Sequence, residues 1–448
     1  MSTEHPWFGT DGMRGVFGEP PLDRPTVTAL GRRLAEHLHA RLGRPPQLVL
    51  AGDTRDSTPT LCRWIAGGLE SGGAACRYAG VLPTPAVAFL TTQLGADGGI
   101  AVSASHNPHP DNGIKLIGAT GFKWPVEEEQ RLEAALRASS DPEAEDAHLS
   151  VDPLLPRAYR THLLHQLPGD SPLDGLRLAL DTANGAASAL AGEIFESLGA
   201  EVEVFHSAPD GLNINRGCGS TDPADLIRRV AKHGEALGVA FDGDADRALL
   251  VDDQGQLQDG DAMLYLWART LAAEGNLTPA RIVATTMSNL GLEQALGHLD
   301  IGLVRCGVGD RQVVETLQAQ GLVLGGEQSG HLVHLGRSST GDGLLTALHL
   351  AFIVAQAGRP LSELLEGFER FPQVLVNTPV ARKVPFDGVP RIRDAARQLE
   401  ATLGDEGRLL LRYSGTEPLA RVMIEGPDQQ RIESLARELA DLIREELG

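Results

Sequence analysis

Short apolar runs alternate with amphipathic stretches along most of this 448-residue chain. The runs at 47–52, 99–104 and 281–287 predict buried strands, and stretches such as 58–70 have the spacing of amphipathic helices. Strands that alternate with helices of this length predict βαβ units in mixed, mostly parallel sheets.

The middle of the chain repeats this pattern. Residues 176–182 and 201–205 predict strands on either side of an alanine-rich helix, and 237–255 predicts two strands joined by an acidic loop. A further helix is predicted near 291–297. Because the same order of elements recurs, we expect structural repeats, although no residue-level periodicity marks them.

The order of elements changes towards the end of the chain. A small α-β-β-α domain is predicted there, with its elements at 391–404, 407–413, 419–426 and 428–447. The length of the chain indicates three or four domains. Linker-like stretches lie at 139–156, which is acidic, at 252–261, which is polar, and at 371–390, which holds four prolines.

Composition restricts the class of protein. Hydrophobic residues make up 42% of the chain and charged residues 22%, as in a globular protein, and the net charge of −21 disfavours nucleic-acid binding. The sequence shows neither an apolar run of membrane-spanning length nor a signal peptide, so we expect a cytoplasmic protein without membrane association. Four scattered cysteines indicate reduced thiols: Cys62, Cys76, Cys218 and Cys306.

The motif "FDGDADR" predicts a metal site. Asp242, Asp244 and Asp246 alternate with small residues, so their carboxylates can converge on one hard cation such as Mg²⁺. An EF-hand is excluded because Arg247 and Asp253 stand where glycine and glutamate are required. The alternative is a solvated acidic turn, which the preceding apolar strand disfavours. Arg247 could hold a phosphate oxygen or neutralise the cluster.

The motif "SASHNPHPDNGIK" follows a predicted strand, where ligands bind in α/β sheets. Ser105 could start a turn or cap a helix, or it could carry a phosphoryl group beside the predicted cation. His106 is no evidence for a dyad, since neighbours on an extended chain point in opposite directions. Lys115, one of few lysines, closes the motif.

The motif "RYSGTEPLARVMIEG" has the donors of a phosphate cradle, although it also fits a hairpin turn. Its candidate residues are Arg412, Ser414, Gly415, Thr416 and Arg421.

Two further loops carry weaker signals. In "GGEQSGHL", Glu327, Gln328 and Ser329 suit a clamp for sugar hydroxyls, and His331 is either an acid/base group or a loop histidine. "FGTDGMRG" is a glycine-rich loop that holds Arg14.

Together these motifs resemble the α-D-phosphohexomutase family, in which they occur in the same order from the first residues to the last domain. Within that family, "GGEQSGH", "TTMSNLGLEQAL" and "GVGDRQV" are similar to the branch that acts on glucosamine phosphates. The phosphomannomutase/phosphoglucomutase branch typically has methionine at the position of Gln328.

The resemblance implies an α/β fold of three similar mixed-sheet domains and a smaller α+β C-terminal domain around a central cleft. The expected domains are 1–155 with the phosphoserine loop, 156–255 with the metal loop, 256–370 with the sugar loop and 371–448 with the phosphate loop.

The resemblance also implies roles for the candidate residues. Ser105 matches the phosphoserine, which also completes a Mg²⁺ site of Asp242, Asp244 and Asp246. Glu327, Ser329 and His331 match the sugar loop, and Arg412, Ser414, Gly415, Thr416 and Arg421 match the phosphate loop. Arg14, Lys115, His106 and Arg247 would act at the reacting phosphate or in proton transfer.

The implied reaction interconverts glucosamine 6-phosphate and glucosamine 1-phosphate, on the route to UDP-N-acetylglucosamine and the bacterial cell wall. Glucosamine 1,6-bisphosphate or glucose 1,6-bisphosphate would be the activating donor, and a homodimer is left open. The alternatives are a phosphomannomutase/phosphoglucomutase, a Mg²⁺-dependent sugar phosphatase with Asp242 as nucleophile, and a non-catalytic phosphosugar sensor.

Overall fold

A computed structural model describes residues 6–9, 11–138, 144–233, 237–414 and 417–448. The chain forms two compact units. Unit 1 consists of residues 1–287 and 301–366, and unit 2 of residues 288–300 and 367–448.

The helices of the described residues are α1 (Arg24–Leu42), α2 (Thr58–Ser71), α3 (Thr84–Gln93), α4 (Val126–Arg137), α5 (Leu154–Leu164), α6 (Ala191–Ser197), α7 (Ala224–His233), α8 (Gly260–Ala273), α9 (Leu290–Gly297), α10 (Asp310–Gln320), α11 (Gly343–Ala357), α12 (Leu361–Leu364), α13 (Pro390–Leu403) and α14 (Gln429–Leu447). Several begin at a carboxylate that accepts backbone N–H bonds, as Asp23, Asp259 and Asp342 do for α1, α8 and α11. None of these helices has both the length and the apolar character that crossing a bilayer requires.

The strands are β1 (Phe8–Gly9), β2 (Gly12–Val16), β3 (Gln47–Gly52), β4 (Ala75–Val81), β5 (Gly98–Val102), β6 (Asp111–Gly118), β7 (Arg177–Asp181), β8 (Glu201–Phe205), β9 (Leu237–Phe241), β10 (Ala248–Val251), β11 (Leu257–Gln258), β12 (Arg281–Thr285), β13 (Gly302–Cys306), β14 (Leu324–Gly326), β15 (Leu332–His334), β16 (Gln373–Pro379), β17 (Arg408–Tyr413) and β18 (Leu419–Glu425).

Unit 1 repeats one arrangement of strands. Its sheets have the orders β1-β2-β6-β5-β3-β4, β11-β10-β9-β7-β8 and β13-β12-β14-β15. In each sheet a central strand pairs in parallel with the next two strands of the chain, and the second of these turns back into an antiparallel partner. The α/β fold with similar mixed sheets is therefore confirmed.

The prediction that the sheets are mostly parallel is wrong, because antiparallel ladders are as common as parallel ones in the described part of unit 1. Each sheet of unit 1 joins two parallel ladders to at least one antiparallel ladder, and the first sheet also pairs β2 antiparallel with β6 and with β1. Antiparallel strands such as β6 and β10 are as buried as the parallel ones, so their apolar runs resemble those of parallel strands.

The repeat brings the candidate motifs to equivalent places. Ser105 lies in the turn from β5 to β6, the aspartates 242, 244 and 246 lie between β9 and β10, and the segment 327–331 lies between β14 and β15. Each turn joins the last parallel strand of its sheet to the antiparallel strand. The strands before these turns are buried, so the polar side chains of the turns lie at the ends of core strands.

Unit 2 contains a strand that the sequence analysis missed. Its sheet has the order β16-β18-β17 and is antiparallel throughout. Strand β16 occupies much of the stretch 371–390, which was predicted as a linker from its prolines. The prolines at 372 and 379 lie at the two ends of β16, where a missing backbone N–H interrupts the hydrogen-bond ladder of the sheet least. The predicted α-β-β-α order is present at α13, β17, β18 and α14.

The other linker predictions have different outcomes. The stretch 252–261 holds a turn, the short strand β11, which pairs with β10, and the start of α8 at Gly260, so it has regular structure; its role as a linker between domains stays a prediction. Of the stretch 139–156, residues 139–143 lie outside the described part of the chain. Residues 144–153 form neither helix nor strand, and α5 follows at Leu154.

Candidate active site

Ser105 is aimed at the aspartate turn of the next sheet. Its Oγ donates a hydrogen bond of 2.5 Å to Asp242 Oδ2, which is 137 positions further along the chain. Ser105 is buried, and its φ of 53° lies in the left-handed region that residues other than glycine rarely adopt. The backbone N–H of Ser105 donates to Ser103 Oγ at 2.9 Å. The surroundings thus hold the hydroxyl in a strained, fixed position.

The carboxylates of Asp242, Asp244 and Asp246 converge. All three residues are buried, and one ligand oxygen from each lies within 4.8 Å of the others. Ala245, with φ 52°, closes the turn between them. Burial raises the pKa of Asp242 well above its ordinary range, and the neighbouring charges of Asp246 and Asp244 raise it further. This mutual repulsion requires a compensating cation.

The oxygens left over at the turn suit a divalent cation. Among the described residues, Asp244 Oδ1 and Asp246 Oδ1 are buried and accept no hydrogen bond. Buried carboxylate oxygens that accept no hydrogen bond are costly, even where charged groups stand nearby, as His331 and Arg247 do at 3.6 and 3.7 Å from Asp246 Oδ1. Oxygen-rich sets of this kind are what Mg²⁺ binds. The three aspartates could therefore hold a metal, with Ser105 Oγ beside them.

Lys115 neutralises the other side of the aspartates. Its Nζ lies 2.8 Å from Asp244 Oδ2, 3.0 Å from Asp11 Oδ2 and 3.3 Å from Asp246 Oδ2. Burial by itself would lower the pKa of Lys115, but these carboxylates hold it well above its ordinary value. Lys115 is therefore a fixed cation in the structure.

His106 contacts the serine, contrary to the sequence analysis. Its Nδ1 lies 3.4 Å from Ser105 Oγ, whereas neighbours were expected to point apart. That expectation assumed an extended chain, and the positive φ of Ser105 bends the backbone instead. Burial, then the charges of Arg247 and Arg14, lower the pKa of His106 to about 4. Its ring is therefore neutral at pH 7 and can accept a proton.

The two candidate arginines flank this group. Arg14 Nη2 pairs with Asp11 Oδ2 at 2.6 Å. The backbone N–H of Arg247 donates to Asp242 Oδ1 at 3.1 Å, and its Nε lies 3.7 Å from Asp246 Oδ1. Both side chains are partly exposed, so each can present guanidinium groups to an anion.

The predicted sugar loop reaches the aspartates through His331. Its Nδ1 lies 3.6 Å from Asp246 Oδ1, and its Nε2 accepts the Gly341 N–H at 3.1 Å. Burial lowers the pKa of His331, but Asp246 outweighs this and raises it to about 8. Glu327 Oε1 accepts the Gly309 N–H at 3.0 Å, and Ser329 is exposed. Glu327 and Gln328 are partly buried.

A buried arginine that the sequence analysis missed supports the serine turn. Arg55 pairs with Asp53 in a fully buried ion pair and donates to the carbonyls of Ser105, at 3.2 Å, and Asn107, at 2.6 Å. Asn215 Nδ2 donates to the same two carbonyls at 2.9 and 3.0 Å. The signal that could have revealed Arg55 is "GDTR" directly after β3, a polar run at the end of a buried strand.

A second missed network joins the glycine-rich loop to the sugar-loop sheet. Lys123 Nζ contacts Asp11 Oδ1 and Asp310 Oδ2 at close range. Asp310 Oδ2 also lies 3.8 Å from His331 Nε2. The charges of Lys123 and then of His331 overcome the effect of burial and lower the pKa of Asp310. These charged groups form a continuous chain from Lys115 to His331 within unit 1.

The candidate phosphate loop lies in unit 2. Arg412 and Arg421 are directly opposite each other on β17 and β18. Burial, then the proximity of Arg421, lowers the pKa of Arg412, so the pair favours an anion between its members. Arg421 Nη2 lies 3.5 Å from Ser414 Oγ, and Lys383 Nζ donates to the Ser414 carbonyl at 2.6 Å. Gly415 and Thr416 lie outside the described residues.

A buried hydroxyl, three carboxylates that could hold a metal, and fixed cations together suit phosphoryl transfer. Comparison with family models agrees: the four domains of the phosphoglucomutase/phosphomannomutase family match residues 5–143 (α/β/α domain I), 157–255 (α/β/α domain II), 259–371 (α/β/α domain III) and 375–442 (C-terminal domain). The chain belongs to this family.

Relatives and solved structures agree with this assignment. Proteins named phosphoglucosamine mutase are 46% identical in Solibacter usitatus, over 98% of this chain and 99% of the relative, and 45% identical in Symbiobacterium thermophilum, with the same coverage. A family protein of Burkholderia thailandensis has a TM-score of 0.81 at 24% identity, covering 98% of both chains. An Aspergillus fumigatus N-acetylphosphoglucosamine mutase, solved with GlcNAc-6P and magnesium, has a TM-score of 0.70 at 17% identity, covering 100% of this chain and 97% of its own.

The Arg55–Asp53 pair gives a first test. Replacing Arg55 with Met leaves the Asp53 charge buried without its partner, and we expect the free energy of unfolding to fall by about 3 kcal/mol. Mutase activity should fall as well, because the Ser105 and Asn107 carbonyls lose a donor. Chemical denaturation and a coupled mutase assay measure the two effects.

The matched control is Arg44→Met, which breaks the exposed ion pair with Asp97. It should change stability far less and leave activity unchanged, because exposed pairs contribute little. Equal losses of stability in the two variants would contradict the supporting role of Arg55.

Proposed function

We propose that this chain is a phosphoglucosamine mutase that interconverts glucosamine 6-phosphate and glucosamine 1-phosphate. The observation that carries the proposal is the 2.5 Å hydrogen bond from Ser105 Oγ to Asp242, beside two carboxylate oxygens without hydrogen-bond partners. The choice of glucosamine is supported by the names of relatives 41–46% identical over nearly the whole chain.

The reaction has two halves, each a transfer at Ser105. In the first, the bond between phosphoserine Oγ and phosphorus breaks as a sugar hydroxyl oxygen bonds to phosphorus; the sugar hydroxyl proton passes to a base, and the departing Ser105 Oγ receives a proton. The product is glucosamine 1,6-bisphosphate, which reorients within the site. In the second half, the Ser105 hydroxyl loses its proton to a base and its Oγ bonds to the other phosphorus, while the bond from that phosphorus to the sugar oxygen breaks and the sugar oxygen receives a proton.

Proton transfer falls to the two histidines in this scheme. His106 is neutral at pH 7 and lies 3.4 Å from Ser105 Oγ, so it is assigned as the base that takes the Ser105 hydroxyl proton in the second half. His331, whose pKa of about 8 lies near neutrality, is our candidate for the sugar oxygen. Lys115 is assigned to charge neutralisation, because its carboxylate partners hold it as a cation.

The remaining residues bind the substrate in this scheme. Arg14 and Arg247 are assigned to the reacting phosphoryl group, and Glu327 and Ser329 to the sugar hydroxyls. The second phosphate is assigned to the phosphate loop, which consists of Arg412, Ser414, Gly415, Thr416 and Arg421.

The three aspartates would hold a divalent cation, and Mg²⁺ is the proposed choice. When bound, the cation would offset the negative charge of the transferred phosphoryl group. Glucosamine 1,6-bisphosphate or glucose 1,6-bisphosphate is the proposed donor for priming Ser105. A cytoplasmic location is supported by the four free cysteines, which suit a reducing compartment. Homodimer formation stays a prediction.

The other functions considered account for less of the site. An aspartyl phosphatase would use Asp242 as nucleophile, yet Asp242 accepts the Ser105 hydroxyl, and this scheme would leave Ser105 unused. A sensor would have no need for a serine held at a metal site by Arg55 and Asn215. Both alternatives leave the strained position of Ser105 without a use.

Intact-mass spectrometry tests the phosphoserine. After priming with glucose 1,6-bisphosphate, the protein should be heavier by one phosphate, and Ser105→Ala should lose both that phosphate and mutase activity. Ser103→Ala is the matched control, because Ser103 is two residues away and its hydroxyl donates to Asp53 while accepting the Ser105 N–H, so the variant disturbs the support of Ser105 but leaves the Ser105 hydroxyl in place. It should keep the phosphate even where its activity falls. A phosphate retained in an active Ser105→Ala protein would overturn the proposal.

Substrate choice is tested separately. We expect the kcat/KM of the primed enzyme for glucosamine 1-phosphate to exceed those for glucose and mannose 1-phosphates by at least about tenfold, which corresponds to about 1.4 kcal/mol of transition-state binding. Equal or inverted ratios would favour the phosphomannomutase/phosphoglucomutase alternative.

A further inference from the structure

A second group of metal-ligand side chains lies at the end of the second sheet. Asp181 ends β7, and His206 follows the end of the adjacent parallel strand β8. Cys218 comes from the loop that leads to α7. One ligand atom of each residue lies within 4.8 Å of the others, and His206 Nδ1 is 3.1 Å from Asp181 Oδ2.

These side chains are removed from solvent to different extents. Asp181 and Cys218 are fully buried, while the side chain of His206 keeps 27% of its surface exposed. His206 Nδ1 is buried, and its neighbour is Asp181 Oδ2 at 3.1 Å. A carboxylate, a ring nitrogen and a sulfur thus face one another, with solvent access on the histidine side.

Each of the three residues also has an orienting contact. Asp181 Oδ1 accepts the Ala183 N–H and its Oδ2 accepts the Gly219 N–H, both at 2.9 Å, which leaves a lone pair on each oxygen. His206 Nε2 lies 3.6 Å from Asp225 Oδ2. A carboxylate behind the second nitrogen is the arrangement that orients metal-binding histidines.

The sulfur has its own contact with the surrounding loop. Asn184 Nδ2 donates to Cys218 Sγ at 3.8 Å. Burial, followed by the charge of Asp181, raises the pKa of Cys218 to about 12, so without a cation the thiol stays protonated. An ion pair between His206 and Asp181 would not account for the position of the Cys218 thiol beside them.

We propose that Asp181, His206 and Cys218 form a second metal site, selective for Zn²⁺ or a similar borderline cation. Carboxylate, imidazole and thiolate ligands suit Zn²⁺, which binds them in four-coordinate sites, whereas the all-oxygen set of Asp242, Asp244 and Asp246 suits Mg²⁺. Water fills the fourth position from the exposed side of His206. Binding forms a sulfur–metal bond and releases the thiol proton of Cys218 to solvent.

The site connects to the serine turn through its own loop. Asn215, three residues before Cys218, donates to the carbonyls of Ser105 and Asn107. A metal that fixes Cys218 therefore fixes the loop from which Asn215 supports Ser105. We assign the site a structural role: it stabilises this loop.

Cobalt absorption distinguishes the two sites, because only a sulfur ligand gives a thiolate-to-cobalt charge-transfer band. The full-length protein is stripped with a chelator, saturated with Mg²⁺ to fill the aspartate site, and titrated with Co²⁺. We expect the band to saturate at one equivalent and to disappear on addition of Zn²⁺. Zn²⁺ should also raise the melting temperature of the Mg²⁺-saturated protein.

Variants identify the ligands. Cys218→Ser and His206→Asn should lose the band and the Zn²⁺-dependent rise in melting temperature. Asparagine is chosen because it tolerates the φ of 47° at position 206. Cys76→Ser, at a half-buried thiol outside the cluster, should keep both signals. Far-UV circular dichroism of the Mg²⁺-saturated protein checks that each variant is folded.

Three results would overturn the proposal: no charge-transfer band in the unmodified protein, a band that survives Cys218→Ser, or a band lost in Cys76→Ser. None of these results bears on the mutase proposal, because the assay for that activity depends on Ser105 and Mg²⁺.

Discussion

Three aspartate carboxylates lie close together in the protein interior, and the surrounding residues are arranged to offset their negative charge. Asp242, Asp244 and Asp246 repel one another where water cannot screen them, as the raised pKa of Asp242 shows. Lys115 offsets part of this charge, and a divalent cation can take the oxygens that remain. Such a site is poised to accept a charged group on the Ser105 oxygen, because the charges that stabilise that group are already fixed.

The repeated strand order of unit 1 explains how these residues meet. Each sheet turns from its last parallel strand into an antiparallel one, and the three turns carry the serine, the aspartates and the segment 327–331. Contacts between turns join the sheets: Ser105 bonds Asp242, and His331 lies beside Asp246. One supersecondary unit, used three times, thus supplies three different chemical groups.

The sequence predicted most helices and strands better than it predicted the segments that link them. Buried strands such as β3 and β9, and helices with strong periodicity such as α14, follow from local pattern. Strand β16 was missed because its flanking prolines resemble those of a linker.

The candidate site residues that lie in sequence motifs were also predicted from local pattern, whereas the residues that support them were not. Lys123 stands in ordinary surroundings, and although Arg55 and Asp310 lie in the segments GDTR and GVGDRQV, their contacts with Ser105 and Lys123 join residues many positions apart. The contact between His106 and Ser105 was missed because it depends on a left-handed backbone that no local pattern indicates.

The central claim is that Ser105 carries the phosphoryl group in both halves of the reaction. Enzyme primed with phosphate-labelled glucose 1,6-bisphosphate can be digested, and its peptides mapped, before and after mixing with unlabelled glucosamine 6-phosphate. The account predicts label in the peptide containing Ser105, followed by its transfer to the sugar at the rate of turnover. Label on the peptide containing Asp242, or its release as inorganic phosphate without isomerisation, would contradict the account.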